Sequence, residues 1–248
     1  MKFLGRHVSL SNLKNELSFY KINAAQVFTK APQQWFGKPL GPHTLKYDPE
    51  KYYFCAHSGY LINMANHSSQ SRTALIHEAN RCAQLGIPDL VVHPGSGSPE
   101  DVIKTLNSVE SEWPRTVQLL LENTAGQGRY LGGEIEELQY IIDSINHPMQ
   151  IGICFDTAHA WGYGSSIIED ILHPMIKCVH LNDSQVAQGS RKDRHANLMF
   201  GTIPGEIFRW IADNVQVPCI METPEDKAQQ DLVIFKELLE CQTISSNQ

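Results

Sequence analysis

The sequence lacks any apolar run close to the roughly 20 residues that a membrane-spanning helix needs, so it predicts no membrane partner. Its first residues place Arg6 and His7 where the apolar stretch of a signal peptide would continue, which argues against secretion. It also lacks a Cys-x-x-Cys pair among its 6 cysteines, most of which lie in or beside apolar runs. These features predict free, buried thiols in a reducing compartment such as the cytoplasm, rather than a disulfide scaffold or a cysteine zinc site.

Positive charge is also scarce. The chain has 20 Lys+Arg against 27 Asp+Glu, which gives a net charge of −7. This balance argues against a protein that holds nucleic acid by bulk charge. It leaves room for a nucleic-acid enzyme whose carboxylates are neutralised by bound cations.

No internal repeat, charge block or Pro/Gly/Ser linker divides the 248 residues. The length suits one to two domains of about 150 residues, and single barrels reach it. We therefore expect one domain over 1–248, with a tail at 245–248 that frays.

Short apolar, β-branched runs recur along the chain with helical patterns between them. Nearly continuous apolar runs are typical of parallel strands covered on both faces. Helical spacing of apolar residues predicts helices over 133–146 and 69–85, the second ended by Gly86, and around Trp210 and Phe235. Residues 31–48 are rich in Pro and Gly and predict a loop. Eight strands are predicted: Phe3–Val8, Ala24–Phe28, Tyr52–Ala56, Leu90–His93, Val117–Glu122, Gln150–Phe155, Ile176–Leu181 and Val217–Glu222.

Eight strands alternating with helices in about 250 residues predict an α/β fold, a single (β/α)8 TIM barrel. An open doubly wound sheet is the alternative. In a barrel, the carboxyl ends of all strands meet at one mouth, where active sites are built.

Six successive predicted strands have a residue type that binds metals at or next to their carboxyl end. These residues are His57, His93, Glu122, Asp156, His180 and Glu222, and His159, Asp193 and His195 lie in the connections nearby. A single such His would be read as structural, but apolar strands have no packing reason to end this way six times. Clustered buried carboxylates also need compensating cations. The pattern predicts a metal centre at the mouth.

Five histidines and four carboxylates exceed what one ion needs, because a catalytic zinc takes about three protein ligands. The set therefore fits two or three ions. Nitrogen and oxygen donors without thiolate suit Zn²⁺, Mn²⁺ or Fe²⁺ better than Ca²⁺ or Mg²⁺. Three divalent ions would nearly cancel the net charge of −7 and let the mouth accept a phosphate.

These residues sit in longer motifs, whose order and spacing strongly resemble the endonuclease IV family of apurinic/apyrimidinic (AP) endonucleases. The similarity runs from the first strand to the last helix, and the motifs around Glu122, Asp156 and Asp193 are the most specific. The motifs are Gly5–Ser9, Phe28–Lys30, His57–Asn63, His93–Ser96, Glu122–Gly128, Asp156–Ala160, His180–Asp183, Gly189–His195 and Glu222–Thr223.

The resemblance implies a DNA repair barrel with three zinc ions that cuts duplex DNA on the 5′ side of an abasic site. The products would be a 3′-hydroxyl and a 5′-deoxyribose phosphate, with 3′-end repair diesterase activity besides. By motif, one ion would be held by His57, His93 and Glu122. A second would be held by Glu122, Asp156, His180 and Glu222, and a third by His159, Asp193 and His195. Glu122 would bridge two ions and orient the attacking water.

The resemblance also implies how DNA is held. An abasic nucleotide has no base to unpair, so extruding it costs little. The positions that would enter the kinked duplex are Gln33 and Gln34 in the second connection and Tyr60 and Leu61 after the third strand. The chain has Gln33 where the family usually presents Arg. Phosphate contacts are expected from Lys192 and Arg194, and also from Lys30 and Arg72. We expect a monomer, because a duplex must reach the mouth.

Two rival functions differ from this reading. Sugar isomerases and epimerases of the xylose isomerase-like barrels also place Glu, Asp and His around a metal, but Asp193, His195 and His159 would be surplus there. A catalytically silent module that binds damaged DNA would have no need for a bridged metal pair.

Overall fold

In the residues that the computed structural model describes, 2–41, 45–66 and 68–245, eight parallel strands close into a barrel. Around the barrel the order is β1-β10-β7-β6-β5-β4-β3-β2, and β8 pairs with β9 in a short antiparallel hairpin. The strands are β1 (Leu4–His7), β2 (Ala24–Phe28), β3 (Tyr53–His57), β4 (Asp89–Val92), β5 (Gln118–Glu122), β6 (Ile151–Asp156), β7 (Ile176–His180), β8 (Asp183–Ser184), β9 (His195–Ala196) and β10 (Cys219–Met221). The predicted TIM barrel is confirmed, and the open sheet is wrong.

Helices cover the outside of the barrel. They are α1 (Leu13–Tyr20), α2 (Ser69–Leu85), α3 (Pro99–Val109), α4 (Ile135–Asp143), α5 (Thr157–Tyr163), α6 (Ile167–Asp170), α7 (Gly205–Asn214) and α8 (Ala228–Ser245). The β2–β3 connection has no helix in its described residues, so the predicted loop over 31–48 is confirmed there. Residues 42–44, and residues 246–248 of the predicted frayed tail, lie outside the described part.

Predicted element bounds either match the structure or differ from it by up to three residues, for local reasons. The helix over 69–85 is confirmed, and Gly86 ends it with φ +76°. The helix predicted over 133–146 ends earlier, at Asp143. Pro148 follows shortly and disfavours helical backbone at the residue before it. The last strand begins at Cys219 because Pro218 has no N–H to donate to a neighbouring strand.

The barrel interior is filled by one layer of small and medium apolar side chains. The layer comprises Ala24, Cys55, Val91, Leu120, Cys154, Cys178 and Ile220, all fully buried. Side chains alternate between the two faces of a strand, so the residue two positions farther on also points inward, one level nearer the mouth. Six of the seven layer residues are followed at that spacing by His57, His93, Glu122, Asp156, His180 and Glu222.

The intervening strand residues point outward and pack against the helices. Leu119, Leu121 and Phe155 belong to a second buried cluster with Leu138 of α4 and Phe208 of α7. Burial of both strand faces explains the continuous apolar runs of the sequence. Five cysteines are free and buried, as predicted, while Cys241 is exposed. Among the described residues, no helix combines the length and apolar character needed to cross a membrane.

Candidate metal centre

The predicted ligands at the mouth converge into three groups of nitrogen and oxygen donors. Within each group, one atom from every residue lies within 4.8 Å of the others. The groups share Glu122 and Asp156, so they form one connected centre. They are His57, His93 and Glu122; Glu122, Asp156, His180 and Glu222; and Asp156, His159 and His195.

Glu122, the last residue of β5, lies at the middle of the centre and has no exposed surface. Its Oε2 atom lies 3.0 Å from His57 Nε2 and 2.8 Å from His93 Nε2. Its Oε1 atom lies 2.8 Å from His180 Nδ1 and 3.5 Å from His159 Nδ1. One carboxylate thus faces ring nitrogens from four strands or their connections.

A second group surrounds His180, which is fully buried at the end of β7. His180 Nδ1 lies 3.2 Å from Glu222 Oε2 and 3.9 Å from Asp156 Oδ2. Together with Glu122, these residues are the four expected around the second ion.

The third group lies partly outside the barrel, on the β8–β9 hairpin. Asp193 Oδ2 is 3.3 Å from His159 Nε2, and Asp193 Oδ1 is 3.3 Å from His195 Nε2. The group whose donor atoms all lie within 4.8 Å of one another takes Asp156 in place of Asp193, with Asp156 Oδ2 3.5 Å from His195 Nε2. The structure therefore brings all nine predicted residues together, with Asp156 standing between the second and third groups.

Four histidines each have one ring nitrogen facing a carbonyl oxygen. His57 Nδ1 lies 2.8 Å from the Ser58 carbonyl, and His159 Nδ1 lies 2.9 Å from the Asn123 carbonyl. His180 Nε2 lies 2.7 Å from Gln26 Oε1, while His195 Nδ1 lies 3.4 Å from the Glu222 carbonyl. Such a partner fixes the tautomer, because the nitrogen facing a carbonyl must carry the proton. The second nitrogen of each neutral ring then presents its lone pair to the carboxylates.

The electrostatics of the centre favour positive charge. Burial opposes a charged His159 ring, but Asp156, Asp193 and Glu122 outweigh it and raise the pKa of His159 to about 10. Burial likewise opposes a charged Glu222, yet His180 holds the pKa of this carboxyl at about 2. The pKa of Glu122 is also lowered, because His180 and His93 outweigh its burial.

The donor set fits divalent cations. His195 Nε2 is buried and has no hydrogen-bond partner, although two carboxylate oxygens lie 3.3 and 3.5 Å away. A lone pair aimed at carboxylates repels them unless a proton or a cation lies between. Four carboxylates and five imidazoles, four of which have a fixed tautomer, are the ligands that zinc, manganese and ferrous iron bind. That these residues hold ions stays a prediction.

Amide and carboxylate side chains that the sequence analysis missed hold the centre in place. Gln26 of β2 donates to Glu222 Oε1 and accepts from His180. Asn182 donates to Asp156 Oδ2 at 2.7 Å and accepts from the Glu222 N–H at 2.8 Å. Asp231 of α8 accepts hydrogen bonds from Asn197, which follows the β8–β9 hairpin, and from Thr223. Gln26 was detectable, because it lies two residues beyond Ala24 of the apolar layer.

Above the centre, the chain forms a cavity of about 670 Å³. Tyr60, His93, Tyr130, Asp193 and Glu222 are among its lining residues. Tyr60 lines the cavity and is 64% exposed, and its neighbour Leu61 is 37% exposed. Gln33, Gln34, Lys192 and Arg194 are exposed as well. Their contact with DNA stays a prediction.

Two residues expected to contact phosphate already pair with carboxylates in the structure. Lys30 is almost fully buried, and its ammonium lies 2.8 Å from Glu78 Oε1. Arg72 binds Ser108 and Glu112 on the outside of the barrel. Burial and its carboxylate partner disfavour a phosphate contact by Lys30, whereas such a contact by the partly exposed Arg72 stays a prediction.

This chain matches a known protein family and several solved structures. Residues 20–241 match the model of the xylose isomerase-like TIM barrels. The chain belongs to this family. It is similar over nearly its whole length to solved structures of more than one kind. Endonuclease IV from Thermus thermophilus superposes with a TM-score of 0.83 at 29% identity, covering 96% of this chain and 99% of that one.

Two more distant structures share the fold. A D-tagatose 3-epimerase-like protein has a TM-score of 0.70 at 17% identity, covering 99% of this chain and 98% of the other. The IOLI protein with a binding zinc atom has a TM-score of 0.68 at 14% identity, covering 96% and 98%. The fold is thus shared with proteins described as an endonuclease and as epimerase-like, so the fold alone does not select a function.

Proposed function

We propose that this protein is a metal-dependent endonuclease that hydrolyses the phosphodiester bond on the 5′ side of an abasic site in duplex DNA. The products are a 3′-hydroxyl and a 5′-deoxyribose phosphate, and trimming of blocked 3′ ends is a second activity of the same centre. The observation that carries the proposal is the presence of three donor groups joined through Glu122 and Asp156. The similarity to endonuclease IV over 96% of the chain supports it.

Each donor group would hold one ion. His57, His93 and Glu122 would hold the first, Glu122, Asp156, His180 and Glu222 the second, and His159, Asp193 and His195 the third, with Asp156 beside it. Three Zn²⁺ are proposed, with Mn²⁺ or Fe²⁺ as substitutes. When bound, such ions stabilise charge on a phosphate and lower the pKa of a water.

Glu122 is the residue we assign to orient the attacking water. Four histidines face this carboxylate, and its low pKa keeps it charged as an acceptor at neutral pH. The hydrogen bond between His180 and Gln26 fixes the orientation of the imidazole that faces this carboxylate. The chain's own residues thus provide a fixed acceptor at a buried position.

The rim of the cavity is suited to a distorted duplex. The exposed Tyr60 and Leu61 side chains offer apolar surface next to the centre, where extruding an abasic nucleotide leaves a gap in the base stack. Gln33 and Gln34 lie on the adjoining loop, since the Tyr60 N–H donates to the Pro32 carbonyl at 2.9 Å. Lys192 and Arg194, on the β8–β9 hairpin, offer exposed cations for phosphates. A monomer leaves this rim open.

Sugar isomerisation or epimerisation is the second candidate, favoured by the similarity to a D-tagatose 3-epimerase-like protein and to an L-ribulose 3-epimerase. The group of Glu122, Asp156, His180 and Glu222 would suffice for a single metal. The donors His159, Asp193 and His195 would then have no use, which favours the nuclease.

Matched substrates test the proposal. The metal-loaded protein is incubated with a duplex carrying one abasic site, with the same duplex undamaged, and with ketohexoses. A cut confined to the 5′ side of the abasic site supports the nuclease. Epimerised sugar without any cut establishes the second candidate instead.

A further inference from the structure

The β2–β3 connection carries Gln33 and Gln34 but has no helix of its own, within its described residues, to hold it. One face of α2 contacts it with polar side chains instead. His77 Nε2 accepts from the Gly37 N–H at 3.0 Å. Arg81 donates to the Lys38 carbonyl at 2.7 Å and through Nε to the Thr29 carbonyl at 3.1 Å. The helix α2 thus holds the backbone of this connection at Thr29 and again at Gly37 and Lys38.

Glu78 and Lys30, which we call the loop anchor, form a buried ion pair between these contacts. Their side chains are 0% and 2% exposed, and the Lys30 ammonium lies 2.8 Å from Glu78 Oε1. Lys30 also donates to the Gln34 carbonyl at 2.6 Å. Glu78 Oε1 accepts from the Gly59 N–H at 2.8 Å. The loop anchor therefore binds the backbone of both loops that carry exposed side chains at the rim.

The two loops pack closely against each other at the loop anchor. A Cβ atom added to Gly59 would lie 2.4 Å from Lys30 Nζ and 2.8 Å from the Pro32 carbonyl oxygen. Only glycine permits this approach. The Tyr60 N–H then donates to that same carbonyl at 2.9 Å, so the two loops are fixed to each other as well as to α2.

A buried ion pair is poor evidence of stability, because desolvating the two charges offsets much of their attraction. Here its hydrogen bonds go to loop backbone, which points to control of loop position. We propose that the loop anchor sets the relative position of the Gln33–Gln34 and Tyr60–Leu61 loops and thereby controls DNA binding without touching DNA. This role rests on the proposed function.

The competing role for Lys30 is a direct phosphate contact, and salt dependence separates the two. A lost phosphate contact lowers the magnitude of the slope of log K against log[salt] by about 0.9. A lost positioning contact weakens binding at every salt concentration and leaves the slope unchanged. The double variant Lys30→Met/Glu78→Gln is suited to this test, because it keeps the net charge and retains an acceptor for the Gly59 N–H.

The experiment measures the affinity of the holoprotein for a duplex with a stable abasic analogue over a range of salt concentrations. Hydrolysis of bis(4-nitrophenyl) phosphate, too small to reach both loops, reports the metal centre and correct folding. Lys192→Met serves as the reference for a phosphate contact. Arg115→Met removes a cation that pairs with Glu110 at 2.7 Å, just before the amino end of β5 and far from the mouth, and serves as the control.

For the double variant we expect binding weaker by about tenfold to 100-fold, as for a small misplacement of binding groups. The salt slope and the hydrolysis of the small phosphodiester should match the wild type. Gly59→Ala should weaken binding in the same way while all charges remain. Hydrogen exchange should rise together in residues 31–38 and 59–62 in both variants.

A salt slope reduced as in Lys192→Met would overturn the proposal in favour of direct contact. Unchanged affinity with unchanged exchange would overturn it as well. If the wild type itself neither binds nor cuts the abasic duplex, the proposed function falls, and the positioning role falls with it. If the wild type binds the abasic duplex and the double variant binds it equally well, only the positioning role is contradicted.

Discussion

At the scale of single residues, register decides which side chains do chemistry. Leu120 and Glu122 lie on the same face of β5, one in the sealed apolar layer and the other at the mouth. The same two-residue step separates Cys178 from His180 on β7. A shift of one residue would turn both donors outward among the helices, so the apolar layer fixes the position of the donor layer.

Replacing Glu122 with Gln should abolish cleavage while the barrel remains folded. The amide keeps the size of the side chain but loses the charge that four histidines face. We expect kcat on the abasic duplex to fall by at least about 100-fold, comparable to the loss of one preorganised catalytic group. Glu112→Gln, which changes a half-exposed carboxylate paired with Arg72, is the control. Full cleavage by the Glu122 variant would remove the assigned role.

Asp89, the first residue of β4, makes stability depend on pH. Burial raises its pKa from 3.8 to about 6, although the Tyr53 hydroxyl donates to it at 2.7 Å. A carboxyl whose folded pKa is raised stabilises the fold while protonated, fully below about pH 4, and this contribution is lost as pH rises through about 6. At about 1.4 kcal/mol per pKa unit, the loss reaches about 3 kcal/mol.

The variant Asp89→Asn should therefore gain stability relative to the wild type as pH rises from about 4 to about 7. Urea unfolding at fixed pH intervals measures the difference, and Asp143→Asn, at the exposed end of α4, is the control. A difference that stays constant over this range would show that Asp89 ionises as easily in the fold as in the unfolded chain.

At the scale of elements, the sequence predicted the strands and helices whose side chains lie in a uniform environment, such as strands buried on both faces. Continuous apolar runs gave β2 and β5 to within one residue, since both faces of each strand are buried. The β8–β9 hairpin was missed because its strands have two residues each and no periodicity. Buried Glu78 and Arg81 on α2 were also unpredictable, because their partners come from a distant loop.

The β8–β9 hairpin should carry one metal site that is separable from the barrel. Asp193 and His195 lie on or beside this element, while their partners Asp156 and His159 belong to β6 and α5. Asp193→Asn or His195→Gln should therefore lower the zinc content from three to two ions per chain. Metal analysis of the purified variants, alongside circular dichroism, measures this. Unchanged metal content would contradict a third site.

The apolar layer of the barrel should be sensitive to truncation. Leu120 is fully buried among the layer side chains, so Leu120→Ala leaves a cavity that the closed barrel cannot fill. We expect a loss of about 3 kcal/mol in the free energy of unfolding. Leu172→Ala, at a residue that is 57% exposed, should change it by less than about 0.5 kcal/mol. Equal effects would show that the layer is loosely packed.

At the scale of the whole molecule, the sequence was sufficient for the barrel and for the nine residues that meet at its mouth. Strand ends converge whatever the details of the connections, so the convergence followed from the fold. The division of the donors into groups was harder to predict from the sequence, because only the side-chain geometry places Asp156 in two groups. The ion pair of Lys30 was not predicted for a related reason. Its sequence position near the rim says nothing about Glu78 beneath it.

The net charge of the chain is related to the carboxylates at the mouth. The chain carries −7, and its buried carboxylates converge where a polyanion is proposed to bind. Three divalent ions would reverse the sign at the mouth while leaving the rest of the surface acidic. We therefore expect DNA cleavage to depend on metal loading.

The most direct test measures cleavage of a duplex with one abasic site as zinc is returned to the chelated protein. The account predicts no cutting by the stripped protein and a single cut on the 5′ side that recovers as about three zinc ions per chain bind. Product ends are mapped to confirm the 3′-hydroxyl. A folded protein that binds three zinc ions and leaves the abasic duplex intact would contradict the account.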